Sequence, residues 1–174
     1  MDIVNGAEIS LEEMLIARET RVNLQSTLIR DYHVPLICFT LNIPGPVKVF
    51  DGIPETFDNG CEQIEHVLEQ NKISFFRAEC IKEKTGFEAF YCADGSPEKL
   101  KRLMTPLEDN SAAGRLYDID IICTDGLKVS REDLGLPVRS CLLCGENAHA
   151  CSRSRRHTVD ELVKRIKDIL KKTV

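Results

Sequence analysis

No segment of the 174-residue chain approaches the roughly 18 consecutive apolar residues that a membrane helix requires, so no membrane-spanning protein is expected. The opening residues, MDIVNGAEIS, carry neither a positive start nor an apolar run, which predicts no signal peptide. There is no basic excess: 23 Lys/Arg stand against 28 Asp/Glu, net −5, and the general footprint of nucleic-acid binding is missing. No internal repeat, low-complexity tract or linker interrupts the chain, so one domain over 1–174 is expected. What is present is apolar content of 43%, enough for a core and too much for disorder. Eight cysteines without a secretion signal point to a reducing cytoplasm, most of them as small buried hydrophobes.

The charge is unevenly placed. From Arg139 onward nine Lys/Arg face four Asp/Glu, whereas the other 138 residues carry fourteen and twenty-four. A basic, Cys-rich segment over 139–174 on an acidic body suggests that it meets an anion, an acidic partner or its own body; a solvated basic helix is the plainer alternative.

Ser10 and Glu13 form a capping-box pattern and predict a helix from Ser10 to Arg30. An apolar β-type run predicts a strand over Leu36–Asn42, ended by Pro44-Gly45-Pro46 and a rigid loop carrying Lys48. Asn59–Gln70 reads as a short helix. Ile73–Lys82 and Phe87–Ala93 flank Lys84-Thr85-Gly86 as a hairpin. Pro97–Leu107 is helical with proline in its first turn, and Leu116–Cys123 is a strong strand. Thr158 and Glu161 repeat the capping-box pattern and open a helix to Lys172. The class is α+β, a mixed or antiparallel sheet with flanking helices plus a Cys-rich C-terminal loop and helix.

Three constellations carry chemistry. In Tyr117–Ile122, strand alternation puts Asp118 and Asp120 on one face and Ile119 and Ile121 on the other. Two carboxylates so placed call for a cation, and oxygen-only ligands favour Mg²⁺ with phosphate oxygens completing its shell; an acidic solvent face is the alternative. The preceding turn, with Gly114 and Arg115, could offer backbone N–H groups to phosphate. On the first helix, Arg18, Arg21 and Gln25 fall within an arc of about 60°, which they share with Leu11, Met14 and Leu15. That arc predicts arginines turned inward or into a cleft, where each must be paired by a carboxylate or by phosphate. The third constellation is Arg139–His157, RSCLLCGENAHACSRSRRH, with three cysteines, two histidines and four arginines. Cys141, Cys144 and Cys151, with His149 or His157 as a fourth candidate, fit a zinc site, inert packing thiols or a redox pair. Arg153, Arg155, Arg156 and His157 precede a helix start and read as an anion clamp.

ARETRVNLQ, IPGPVK, GRLYDIDI and REDLGLPVRSCLLCGENAHACSRSRRH, in this order, resemble successive signatures of the citrate lyase holo-acyl-carrier-protein synthase family, also called apo-citrate lyase phosphoribosyl-dephospho-CoA transferase. The chain resembles the stand-alone form. The resemblance implies a nucleotidyltransferase-type reaction: a serine hydroxyl on the acyl carrier subunit of citrate lyase attacks 2′-(5″-triphosphoribosyl)-3′-dephospho-CoA, and diphosphate leaves. Asp118 and Asp120 would then hold Mg²⁺ on the triphosphate, Arg18, Arg21 and Lys48 would neutralise diphosphate, and Arg153, Arg155 and Arg156 would grip the donor's other phosphates or the acidic carrier. No zinc role is implied. Nucleotidyltransferases of this type commonly carry Gly-Ser upstream and a third carboxylate on a neighbouring strand; here Ser111 and Gly114 come in the opposite order, and Asp51 and Asp125 are candidates for the third carboxylate. Two alternatives stand beside this reading: a non-catalytic, zinc-stabilised interaction module, and the same chemistry on a carrier of the malonate decarboxylase type.

Overall fold

The computed structural model describes residues 6–173; the leader expectation rests partly on residues 1–5, which lie outside the described residues. Helix α1 (Leu11–Tyr32) begins at the expected capping box. The Ser10 hydroxyl accepts the Glu13 N–H at 3.1 Å, and the Glu13 carboxylate accepts the Ser10 N–H at 2.9 Å, so two orphan donors are satisfied reciprocally. Strand β1 (Leu36–Leu41) follows, then α2 (Ile53–Gln70), the hairpin β2 (Ser74–Glu83) and β3 (Gly86–Asp94), α3 (Pro97–Asp109) and β4 (Tyr117–Ile122). Helix α2 starts six residues earlier than the sequence suggested. Pro54 sits in its first turn, where the missing N–H costs nothing, and Ile53, Phe57, Ile64 and Leu68 form its buried stripe. In the Cys-rich segment a short helix, α4 (Ala148–Ser154), precedes α5 (Val159–Thr173).

The four strands form one sheet in the order β2-β3-β1-β4, with every neighbouring pair antiparallel. The expected α+β class thus takes its antiparallel form. Strand β1 lies inside the sheet, and its first four residues, Leu36–Phe39, are covered on both faces, which accounts for their continuous apolar run. One face carries the main core under α2 and α3, where Phe39 stacks on Phe57 and meets Tyr117 edge-on. The approach of α2 is close: a Cβ on Gly60 would lie 2.3 Å from the Phe39 ring. The other face is covered only in part. Leu28 and Ile29 of α1 pack over Leu36, Cys38, Phe90 and Ile122, while Thr40, Glu88, Asp118 and Asp120 make the rest of that face polar. Ile166, Ile169 and Leu170 of α5 pack with Ile43, Ile53 and Leu116 in a third cluster, which docks the C-terminal helix beside the start of β4. No helix among the described residues is long and apolar enough to cross a membrane.

Candidate functional site

Asp118 and Asp120 do share one face of β4, opposite the buried Ile119 and Ile121. The register extends that face inward. Thr40 pairs with Asp118 on one side and Glu88 on the other, and Cys38 likewise joins Asp120 to Phe90. Glu88 is therefore two strands, or about 10 Å, from Asp118 on the same face, and it is the carboxylate on a nearby strand that sequence reasoning missed. Asp125 instead caps its own turn, accepting the Leu127 N–H at 2.9 Å.

Each acid of this face has a cation. The Arg21 guanidinium grips Glu88 with two hydrogen bonds, Nε to Oε2 at 2.9 Å and Nη2 to Oε1 at 2.5 Å. Those bonds raise the Arg21 pKa, and Asp118 lies near enough to add to the rise. Lys128 pairs with Asp120, and Arg139 Nη1 lies 3.7 Å from Asp118 Oδ1. Loss of water pushes the Asp118 carboxyl up, and the like charge of Asp120 pushes it further. The Gln25 amide donates to the Cys38 sulfur at 3.4 Å. Burial holds that thiol up at about 12, so Cys38 is a packing group and not a nucleophile.

The backbone beneath the acid pair is held from the sheet's outer side. Lys101 of α3 donates to the Ile119 carbonyl at 2.8 Å, and the Glu108 carboxylate accepts the Ile119 N–H at 2.8 Å. Glu108, only 2% exposed, also takes Arg131 at 2.5 Å and lies 3.8 Å from Arg139.

The expected inward arc of α1 divides. Arg21 and Gln25 reach the acidic face, but Leu11 and Leu15 are exposed (76% and 54%), so the arc drawn through them is not the buried one. Arg18 is exposed and makes no ion pair among the described residues. It lies near enough to Lys48 to reinforce the downward pKa shift that burial imposes on that amine; Lys48 itself donates to the Ile43 carbonyl at 2.5 Å. Gly114 has a steric explanation, because a Cβ there would lie 2.0 Å from the Leu107 carbonyl oxygen. Its N–H is already taken by the Ser111 hydroxyl at 2.8 Å. Arg115 donates to the Ser140 carbonyl. Two concavities, of about 640 Å³ beside Phe50, Asp51 and Leu170 and about 440 Å³ along α2, do not include Asp118 or Asp120.

In the C-terminal segment the ligating atoms of Cys141, Cys144, Cys151 and His157 all lie within 4.8 Å of one another. That set of three sulfurs and one imidazole fits zinc. His157, read from sequence with the anion clamp, belongs to this cluster, whereas His149 is exposed outside it. Arg153, Arg155 and Arg156 are exposed on the short stretch that joins Cys151 to His157.

Residues 9–173 match the family model described as apo-citrate lyase phosphoribosyl-dephospho-CoA transferase. The chain is 36% identical over 162 residues to a probable apo-citrate lyase phosphoribosyl-dephospho-CoA transferase of Vibrio cholerae, covering 92% of this chain and 91% of the relative. It is 30% identical over 169 residues to the Escherichia coli O139:H28 protein named as that transferase, covering 97% and 92%. It is also 37% identical over 164 residues to the Haemophilus influenzae protein named CitXG, covering 94% of this chain and 35% of that longer one.

Proposed function

Because the chain belongs to the apo-citrate lyase phosphoribosyl-dephospho-CoA transferase family, we propose that it installs the phosphoribosyl-dephospho-CoA group on apo-citrate lyase in the cytoplasm. In this reading the donor is 2′-(5″-triphosphoribosyl)-3′-dephospho-CoA, the acceptor a serine hydroxyl of the acyl carrier subunit, and the leaving group diphosphate. The observation that carries it is the polar half of the sheet face, where Asp118 and Asp120 stand together near cations from α1 and from the two loop segments that carry Lys128 and Arg139.

Asp118 and Asp120 are the residues that would hold Mg²⁺. Their fit rests on oxygen donors side by side and on the upward push that one carboxylate gives the other, which a cation relieves. When bound, the metal supplies charge neutralisation on the phosphate oxygens. Arg21, fixed by Glu88, and Arg139, anchored by its bond to the Arg115 carbonyl at 2.9 Å, offer further N–H groups to the diphosphate as its charge grows. Lys128 is exposed and can exchange Asp120 for a phosphate oxygen. Arg18 and Lys48 extend the positive ground near α1, Gln25 lines the floor, and Gly114 and Arg115 shape the turn that leads into β4. Arg153, Arg155 and Arg156 suit the acidic carrier, whose association would then weaken with salt.

The test is to incubate the protein with apo-carrier subunit, donor and Mg²⁺, and to weigh the carrier. The expected result is a gain equal to the prosthetic group, lost when Mg²⁺ is withheld. An unmodified carrier, with both proteins folded, overturns the reading.

A further inference from the structure

We propose that Cys141, Cys144, Cys151 and His157 bind one zinc ion, which closes the arginine-bearing stretch between Cys151 and His157 into a rigid ring. Four observations converge. First, the four ligand atoms lie within 4.8 Å of one another, with the Cys144 and Cys151 sulfurs 3.5 Å apart. A tetrahedral zinc with sulfurs at about 2.3 Å sets them about 3.8 Å apart, so only small adjustments are needed. Second, Cys141-Leu142-Leu143-Cys144-Gly145 folds as a tight turn. The Gly145 N–H donates to the Cys141 carbonyl at 3.2 Å. Gly145 has φ +75°, a conformation that favours glycine. Third, His157 Nε2 is buried and has no hydrogen-bond partner among the described residues. A buried imidazole nitrogen is costly to leave unpaired, and a metal satisfies it. Fourth, Arg153, Arg155 and Arg156 supply local positive charge for a centre whose three thiolates outweigh the two charges of zinc.

A redox pair explains less. A Cys144–Cys151 disulfide would leave Cys141 and the unpartnered His157 without a role. Zinc uses all four groups and needs no oxidant. The ring also accounts for the left-handed Arg155 (φ 48°), a conformation uncommon outside glycine. There the chain reverses from the end of α4, with the Arg156 N–H returned to the Cys151 carbonyl at 3.2 Å, and so carries His157 back over the cysteines.

The experiment is metal analysis of the full chain purified without a metal-affinity tag, together with hydrogen exchange before and after a strong zinc chelator. About one zinc per chain is expected, and cobalt(II) in its place should give the visible absorption of a tetrahedral site with thiolate ligands. Chelation should strip protection from amides of Cys141–His157 and leave those of β1 and β3 unchanged, since the sheet core does not depend on the ring. Cys151→Ser should lose the metal, and Cys80→Ser should keep it. Folded protein that neither contains nor takes up zinc or cobalt, or an oxidised Cys144–Cys151 pair seen as a two-hydrogen mass deficit, overturns the proposal.

Discussion

The acidic sheet face and the cysteine cluster are both places where ligating groups crowd together, and they resolve that crowding in opposite ways. On the sheet face every acid is answered by a side-chain cation: Glu88 by Arg21, Asp120 by Lys128, Asp118 by Arg139. In the cluster the sulfurs and the imidazole face one another, and one ring nitrogen has no hydrogen-bond partner among the described residues. Hard oxygen ligands with displaceable cations suit a metal that arrives with its phosphate ligand and leaves with it. Soft ligands with nothing to displace suit a resident metal.

The comparison can be broken most sharply at the aspartates. Asp118→Asn and Asp120→Asn should each lower the rate of carrier modification by about 10³-fold, with far-ultraviolet circular dichroism unchanged; a variant with near-normal rate would show that the face is merely acidic. Next comes Glu108→Ala, which leaves the buried Ile119 N–H without its acceptor and Arg131 held on its acidic side by Asp109 alone. A loss of about 2 kcal/mol in urea denaturation is expected, because a buried donor left unpaired is costly. Glu65→Gln, which removes an exposed pair with Arg77, should cost less than about 1 kcal/mol. Replacing Arg153, Arg155 and Arg156 together by alanine should raise KM for the carrier about tenfold at low salt and abolish much of its salt dependence.

The smallest effect is one of sign. Asp118 has its folded-state pKa raised, so it protonates more readily folded than unfolded. Its cost to stability is absent well below about pH 4, grows as pH rises from the ordinary aspartate range to the raised folded value, and persists above it. Asp118→Asn should therefore melt slightly higher than the parent at pH 7, and the difference should vanish in acid. Mg²⁺ should raise the parent's melting temperature and not the variant's.

Local patterns carried the acid pair, since strand alternation alone fixes which side chains share a face. The start of α2 was hidden because Gly52 and Pro54 look like loop residues until the helix begins at Ile53. Helix α1 misled for a different reason: Leu11, Leu15, Ile16 and Val22 are all exposed, so its apolar residues mark no single buried stripe. Glu88 left one signal, a lone charge inside the apolar run GFEAFYCA, but its partner Arg21 is 67 residues away and only the fold joins them. The cysteine spacing suggested three ligands. The choice of His157 over His149 depends on a chain reversal at Arg155 that spacing does not encode.

The grip of Lys101 and Glu108 on Ile119 bears on how molecules of this protein meet at high concentration. An unpaired outer strand invites another chain to add to the sheet and start a fibre. On β4 that invitation is withdrawn, because the outward amide and carbonyl of Ile119 are occupied and the Ile121 carbonyl takes the Val129 N–H at 3.0 Å. The opposite margin, β2, relies on charge instead, with Arg77, Glu79, Lys82 and Glu83 exposed along it. Neutralising those four should make the protein polymerise from that margin alone.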